Sequence, residues 1–237
     1  MKKRIQVNYF SRFELALWFL SVVTIVVSFT CGDTKDYFTL IASLIGATSL
    51  ILNAKGNVWG QILTVIFSVL YGIISFSNAY YGEMVTYLGM TAPIAIASVV
   101  SWIRHPAQEG KNEVKVNQLK LQEYVGLLFM GIMVMVIFYY ILKAFNTGEL
   151  WLSTISVFTS FIASYLTLRR SEYYALGYAL NDIVLIYLWL IAMQKDRGYR
   201  SVVICFVIFL INDIYGYCSW LRMKKSQAAM YKTEMAE

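Results

Sequence analysis

Two Asn-Asp pairs are the side chains in this sequence best suited to binding a polar ligand. Asn181-Asp182 and Asn212-Asp213 each lie near the middle of a long apolar segment. Polar groups are costly inside a lipid bilayer, so they mark helix contacts or a path for a substrate. Amide and carboxylate groups can hydrogen-bond a carboxamide or sugar hydroxyls. We therefore predict a mid-membrane binding site with Asn212 at its centre, the alternative for each side chain being a structural tie between helices.

Other candidate binding residues follow one face of the neighbouring segments. In segment 58–77 the polar residues are three and four positions apart, which is the spacing of one helical face. Glu83, Tyr87, Thr91 and Ser98 form a similar face in the next segment. Besides the two Asn-Asp pairs, the predicted binding set is Trp59, Gln61, Thr64, Ser68, Tyr71, Thr91, Tyr178 and Trp189.

Two further patterns are interpreted as structural. A stripe of small polar residues in segment 150–168 is typical of close packing between membrane helices. It consists of Ser153, Ser156, Ser160 and Ser164. Four tryptophans lie near the ends of apolar segments: Trp18, Trp102, Trp151 and Trp220. This position is typical of the aromatic belt at a membrane–water interface.

The elements that must position these residues are membrane helices. Of the 237 residues, 59% are hydrophobic and 14% are charged, whereas about 25% are charged in an average soluble domain. This composition excludes an ordinary soluble domain and a disordered chain. A transmembrane helix needs about 20 mostly apolar residues. Eight segments qualify: 12–30, 36–54, 58–77, 84–103, 124–143, 150–168, 173–194 and 200–222. The predicted fold is all-α, a polytopic membrane protein with eight transmembrane helices.

An internal repeat predicts how these helices are arranged. Ser101-Trp102-Ile103-Arg104 ends one segment, and Ser219-Trp220-Leu221-Arg222 ends another, at an offset of 220 − 102 = 118 residues. Gly60 and Gly177 are 117 residues apart. The repeat therefore consists of two triples of helices, segments 2–4 and 6–8, with one helix between them. Because three helices plus one make an even number of membrane crossings, both triples cross the membrane in the same sense. Such parallel repeats occur in transporters, with the substrate site between the halves.

The predicted units follow from this repeat. An N-terminal tail and extra helix (1–30) precede the first three-helix repeat (36–103). A cytoplasmic loop and linker helix (104–143) join it to the second repeat (150–222), and a cytoplasmic tail (223–237) ends the chain. The polar, amphipathic stretch 104–123 is predicted to contain a surface helix.

The distribution of basic residues predicts the orientation. With both termini on one side, that side holds fifteen Lys and Arg residues and the opposite side holds five. Basic loops stay in the cytoplasm. We therefore predict a multi-pass protein of the plasma (inner) membrane with both termini in the cytoplasm.

The sequence lacks the motifs that are typical of ATP-driven transport and of metal or cofactor binding. There is no phosphate-binding glycine loop, which argues against ATP-driven transport by this chain alone. His105 is the only histidine and the three cysteines form no CxxC pair, so we expect no metal and no cofactor. The net charge of +6 is explained by cytoplasmic loops, and we expect no nucleic-acid partner. An integral membrane enzyme stays open as the alternative class; it would need acid or base groups near the lipid headgroups.

The second triple resembles the PnuC family of nicotinamide riboside transporters. The residues that carry the resemblance are the Arg169-Arg170 turn, the Glu172-Tyr173-Tyr174 helix entry with Asp182 at mid-span, and the ending Gly216…Trp220-Leu221-Arg222. In the first triple, Tyr81-Gly82-Glu83-Met84 is similar to the family's Tyr-small-acid-Met opening. The resemblance covers about residues 36–225.

The resemblance implies a SWEET-like 3+1+3 helix fold with an extra N-terminal helix, and a homotrimer. It also implies a uniporter for facilitated diffusion of nicotinamide riboside, an NAD precursor that a cytosolic kinase then traps. Aromatic faces would attract the cationic ring of this ligand. The chain departs from the family where Tyr173, Tyr174 and Tyr178 replace an expected tryptophan-rich entry and Ser153 replaces an acid. These departures leave thiamine or riboflavin as alternative substrates.

Overall fold

The structure, a computed structural model, describes residues 9–30, 37–77, 81–108, 112–195 and 200–234. Within these ranges eight helical spans are long and apolar enough to cross a membrane, which confirms the predicted all-α fold of eight spans. The helices are α1 (Arg12–Thr30), α2 (Tyr37–Ala54), α3 (Val58–Ser77), α4 (Tyr81–Thr86), α5 (Ala92–Arg104), α6 (Leu121–Ala144), α7 (Leu150–Leu168), α8 (Tyr174–Lys195) and α9 (Arg200–Glu234). The fourth span consists of α4, a π-helical turn Tyr87–Thr91, and α5.

Pro93 explains the π-helical turn. Proline has no N–H, and its ring clashes with the carbonyl group four residues earlier. The preceding turn is widened, so the N–H of Ala92 bonds to the carbonyl of Tyr87 and the Thr91 hydroxyl donates to the carbonyl of Thr86. Turns of this kind are frequent at functional sites.

Six of the spans form a closed ring. Along the ring α2 packs against α3, α3 against α5, α5 against α7, α7 against α8, α8 against α9, and α9 against α2. Helix α1 packs outside the ring against α2 and α9, and α6 packs outside it against α7. The interfaces α5–α7 and α9–α2 are therefore the two places where the predicted repeats meet, an arrangement consistent with the predicted parallel repeat.

The turns α2–α3 and α7–α8 have the same conformation. Gly56 (φ 62°) and Arg170 (φ 56°) occupy the left-handed position in each, which is the usual place for a residue without a Cβ. The next residue in each turn donates its N–H to the carbonyl five positions back, from Asn57 to Leu52 and from Ser171 to Leu166. This register has an offset of 170 − 56 = 114 residues. Gly60 is therefore matched with Tyr174, and the sequence pairing of Gly60 with Gly177 is wrong in this part of the repeat.

The predicted surface helix in 104–123 is also wrong. Residues 112–120 are extended and form a strap across the side of the molecule where the described chain begins and ends. Val114 and Asn117 donate their N–H groups to the carbonyls of Gly56 and Arg170, the two left-handed residues. Val114 is fully buried. The alternation of Val114, Val116 and polar neighbours has the period of an extended chain, and it prevails over the weaker helical pattern.

The last helix extends beyond its predicted span and holds the strap in place. It continues past position 222 to Glu234. Gln227 is buried, and its side chain accepts from the N–H of Val116 and donates to the carbonyl of Val114 and to Glu113. A single side chain thus satisfies several polar groups of the strap.

Trp102 and Trp220 do not form an interfacial belt. They are 1% and 0% exposed and are the two largest fully buried side chains among the described residues. They lie in one core cluster with Val114, Tyr174 and Met223. An indole ring has both a large apolar surface and one N–H donor, and here the packing of two helix ends with the strap buries both.

Candidate functional site

The interior of the ring contains a cavity that opens away from the strap, which we call the outer cavity. Its empty space, counting the part that is open to solvent, is about 400 Å³, but only about 30 Å³ of it is wide enough for a water molecule, so in this conformation the two halves are closed around it. The lining residues come mainly from the fourth span, α7 and α8. They are Gly82, Glu83, Thr86, Tyr87, Leu142, Thr147, Ser153, Ser156, Val157, Ser160, Asn181 and Leu185.

A second, smaller space lies closer to the strap, and we call it the inner cavity. It contains about 140 Å³ of empty space that is too narrow for a water molecule, and it is lined by Gln61, Thr91, Ile94, Ala95, Ser98, Ser164, Thr167 and Tyr178. The two cavities follow the same helix faces. From outer to inner, Tyr87 is succeeded by Thr91, Ser160 by Ser164, and Asn181 by Tyr178. These steps of three or four residues are each one helical turn, about 5.4 Å, so the cavities lie in one file between the two halves.

Asn181 is held in the outer cavity by α7. Its Oδ1 accepts hydrogen bonds from Thr159 Oγ1 (2.8 Å) and Ser156 Oγ (3.2 Å). The side chain is 6% exposed and still lines the cavity. Asn181 is thus a buried amide with a fixed orientation, which is the property a selective polar site needs.

Glu83 brings an acidic group into the outer cavity. The Tyr71 hydroxyl lies within hydrogen-bonding reach of its carboxylate, and Oε2 is buried without a hydrogen-bond partner. The rings of Tyr71 and Tyr87 lie beside it with centroids 4.5 Å apart, and Phe67 lies 5.6 Å from Tyr71. An acid and several aromatic faces therefore converge where the cavity begins.

The carboxyl groups of Asp182 and Asp213 lie within hydrogen-bonding reach of each other across the α8–α9 interface. Both are 4% exposed, and Oδ2 of Asp182 is buried without a partner. An ionised carboxylate can only accept hydrogen bonds. A hydrogen bond between the two groups therefore requires that one of them carries a proton. The sequence predicted both residues for the site, and the structure pairs them with each other.

Polar groups at the inner cavity satisfy one another. Gln61 Nε2 donates to Asn53 Oδ1 (2.9 Å), and Asn53 Nδ2 donates to Thr64 Oγ1 (3.1 Å). The hydroxyl groups of Tyr178 and Ser164 share a hydrogen bond of 3.0 Å. Of the sequence-predicted residues, Gln61, Thr91 and Tyr178 line this cavity. Thr64 is linked to Gln61 through Asn53, and Tyr71 packs against Tyr87 of the outer cavity.

Asn212 points out of the ring. Its Nδ2 donates to Ser21 Oγ of α1 (3.0 Å) and to the carbonyl of Ile208 (2.8 Å). It is not among the described residues that line either cavity. The contact with α1 fits the structural alternative noted above, and the binding role of Asn212 stays a prediction.

Three other residues predicted for the site are also absent from the described residues that line the two cavities. Trp59 is 59% exposed at the first turn of α3. Trp189 is buried in an apolar cluster with Ile25 and Phe206. Ser68 is fully buried and donates to the carbonyl of Thr64 within its own helix.

Several residues that line the cavities are absent from the binding set predicted from the sequence. The serines Ser153, Ser156, Ser160 and Ser164 were interpreted as a packing seam, and they line the two cavities. Glu83 and Tyr87 were seen on one helix face with Thr91 but were left out of the predicted binding set. The signal that would have found them is the regular spacing of four from Glu83 through Tyr87 to Thr91.

The charge of the lining residues limits the ligand. Within the described chain, the lining sets contain Glu83 and no Lys, Arg or His. A phosphate group would meet no basic partner here, and burying an unpaired charge is costly. A neutral or cationic ligand with polar groups and a flat ring has matching partners in Asn181, the serines and the tyrosines.

Comparisons with known proteins agree with this geometry. The model of a family described as nicotinamide mononucleotide transporter matches residues 36–222. The nicotinamide riboside transporter PnuC of Neisseria mucosa is 25% identical over 216 residues, which are 89% of this chain and 81% of that protein. The protein of the same name from Haemophilus influenzae is 22% identical over 196 residues, or 81% of this chain and 83% of that protein.

One solved structure is similar throughout. A crystal structure of the vitamin B3 transporter PnuC superposes with a TM-score of 0.80 and 21% sequence identity, covering 92% of this chain and 94% of that one. This likeness shows that the two chains share a fold.

Proposed function

Because the chain belongs to the nicotinamide mononucleotide transporter family, we propose that it is a uniporter that carries nicotinamide riboside across the membrane. The path runs through the outer and inner cavities, between the two three-helix halves. The relatives from Neisseria mucosa and Haemophilus influenzae are named as transporters of this nucleoside. Membership in a transporter family also argues against the alternative of a membrane enzyme.

The observation that carries the choice of substrate is the charge of the cavities. Their described lining has one carboxylate and no basic side chain. Nicotinamide riboside is a cation without phosphate, whereas the mononucleotide adds a phosphate group that these walls cannot pair. We therefore propose the riboside rather than the mononucleotide as the substrate. Thiamine, also a cationic ring, is the second candidate, and riboflavin, which carries no charge, is the weaker alternative.

We propose facilitated diffusion, with the nucleoside trapped afterwards by phosphorylation in the cytosol. The sequence has no nucleotide-binding motif to couple transport to ATP. The carboxyl groups of Asp182 and Asp213 face each other within one half, and neither is among the described residues that line the two cavities, which supports transport without a coupling ion. We place the protein in the inner membrane, with the strap and the basic loops on the cytoplasmic side.

We also propose the homotrimer that the family resemblance implies. The support from the chain itself is the outer face of α6, where Phe129, Met133 and Tyr140 are exposed. Apolar side chains on such a face suit contact with lipid or with another copy. Mass determination in mild detergent that gave only monomers at every concentration would contradict the trimer.

A substrate panel tests the proposed function. Purified protein in liposomes is offered labelled nicotinamide riboside, nicotinamide mononucleotide, thiamine and riboflavin in separate experiments. We expect rapid uptake of the riboside and little uptake of the mononucleotide. Uptake of the mononucleotide at the same rate, or of riboflavin alone, would show that the substrate is assigned incorrectly.

A further inference from the structure

Glu83 differs from the other glutamates that the structure pairs with basic groups. Glu14 lies 3.2 Å from Lys55, Glu172 lies 2.5 Å from Lys224, and Glu123 pairs with Arg169. Within the described chain Glu83 forms no such ion pair, and its Oε2 is buried without a hydrogen-bond partner. A buried charge without a partner is costly. A cationic ligand in the outer cavity would supply the partner that the described chain does not provide.

The surroundings of Glu83 suit a flat organic cation. The Tyr71 hydroxyl lies within hydrogen-bonding reach of the carboxylate. The rings of Tyr71 and Tyr87 are tilted by 54° with centroids 4.5 Å apart. Tyrosine rings attract cations through their faces. An acid and two aromatic rings together therefore favour a delocalised positive charge over a neutral ring of the same shape.

The position of this group along the path gives it a role in selection. Glu83 lies near the start of α4, at the end of the outer cavity away from the strap, and Asn181 lies deeper on α8. A ligand entering from this end meets the acidic group first. A single sign of charge in a cleft with apolar walls raises the local concentration of the opposite charge.

We infer that Glu83, with Tyr71 and Tyr87, is a cation-recognition subsite that makes the transporter select the positively charged pyridinium form of its nucleoside over an uncharged ring. The inference rests on the proposed function and adds the residue that determines charge selectivity. Asn181 and the serines of α7 bind polar groups that both ring forms share.

The test compares two forms of one ligand. Nicotinamide riboside carries the charged pyridinium ring, and its 1,4-dihydro form has nearly the same shape without the charge. Uptake of each into liposomes is measured for the wild type, Glu83→Gln and Glu83→Asp. We expect the wild type to prefer the charged form, with a KM for it lower by about tenfold or more, since opposite charges attract strongly at a partly buried site. Glu83→Gln should lose that preference by raising the KM for the charged form only, and Glu83→Asp should keep it.

Two results would overturn the inference while leaving the proposed function intact. One is an unchanged preference in a folded Glu83→Gln variant. The other, which needs no variant, is equal KM values of the wild type for the charged and uncharged forms. If the wild type took up neither form, the proposed function itself would be wrong, and the inference with it.

Discussion

The indole rings of Trp102 and Trp220 lie with centroids 5.5 Å apart, and each donates its N–H to the end of a helix in the opposite half. Trp102 Nε1 donates to the carbonyl of Thr167 on α7 (3.0 Å), and Trp220 Nε1 donates to the carbonyl of Asn53 on α2 (2.8 Å). The two bonds are reciprocal and close the ring beneath the inner cavity. A substrate that leaves on the side of the strap must pass this closure.

The tryptophan pair should contribute measurably to stability. Trp102→Phe and Trp220→Phe each remove a buried hydrogen bond and part of a packed ring, for an expected loss of about 1–3 kcal/mol. Thermal unfolding of the purified variants in detergent measures this loss. Trp151→Phe is the matched control, because Trp151 is 65% exposed and should change stability little. Equal unfolding temperatures for all three variants would contradict a structural role for the pair.

Gly60 is required by the close approach of α2 and α3. A Cβ at Gly60 would lie 2.6 Å from the backbone nitrogen of Asn53, closer than real Cβ contacts, and would displace the Asn53 side chain that binds Gln61. We expect Gly60→Ala to lower the unfolding temperature. In contrast, Gly126→Ala on α6 meets no atom within 4 Å and should gain up to about 1 kcal/mol from helix propensity. Equal changes in unfolding temperature for Gly60→Ala and Gly126→Ala would contradict a requirement for glycine at position 60.

Asn181 and Asn212 should respond differently to the same substitution, because Asn181 lines the outer cavity whereas Asn212 faces α1. Loss of a buried hydrogen bond to substrate costs about 1–3 kcal/mol, so Asn181→Leu should weaken nicotinamide riboside binding roughly 5- to 150-fold. Asn212→Leu should retain binding, since its amide bonds to Ser21 and Ile208. Calorimetric titration of both variants decides the matter. The prediction from the sequence, with Asn212 at the centre of the site, requires the opposite result.

The Asp182–Asp213 pair should tolerate an amide but not an apolar side chain. In Asp213→Asn the amide can donate to Asp182, so the tie between α8 and α9 is kept. In Asp213→Leu the buried Asp182 loses that partner, for an expected loss of about 1.5–3 kcal/mol. Chemical or thermal unfolding of the two variants should therefore rank Asp213→Asn as the more stable. The reverse order would show that the two carboxyl groups do not share a proton.

The helices were predictable because a membrane imposes length and polarity on every span. Seven of the eight predicted segments begin and end within three residues of the observed spans, and the exception is the last one, which extends to Glu234 instead of ending at 222. The π-helical turn was not predicted, although Pro93 is its cause. A sequence gives the position of a proline but not which neighbouring helix accommodates the widened turn.

The directions of side chains were harder to predict than the spans. Asn212 was placed in the site because it lies at mid-span, but α1 packs outside the ring against α9 and accepts its hydrogen bond. The serines of α7 were interpreted as packing because small polar stripes occur both at helix contacts and along cavities. Trp102 and Trp220 were assigned to the interface because the strap that buries them was predicted to be a surface helix. In each case the direction of the side chain depends on which helix lies beside it, and periodicity within one segment does not determine that neighbour.

Counterflow in proteoliposomes tests the central claim most directly. Liposomes that contain only the purified protein are loaded with unlabelled nicotinamide riboside and diluted into a trace of the labelled nucleoside, without ATP and with no ion gradient. A uniporter should exchange the two, so the label rises transiently above its outside concentration and then falls as the gradient dissipates, and an uncoupler should have no effect. Entry of label no faster than into protein-free liposomes would contradict the account.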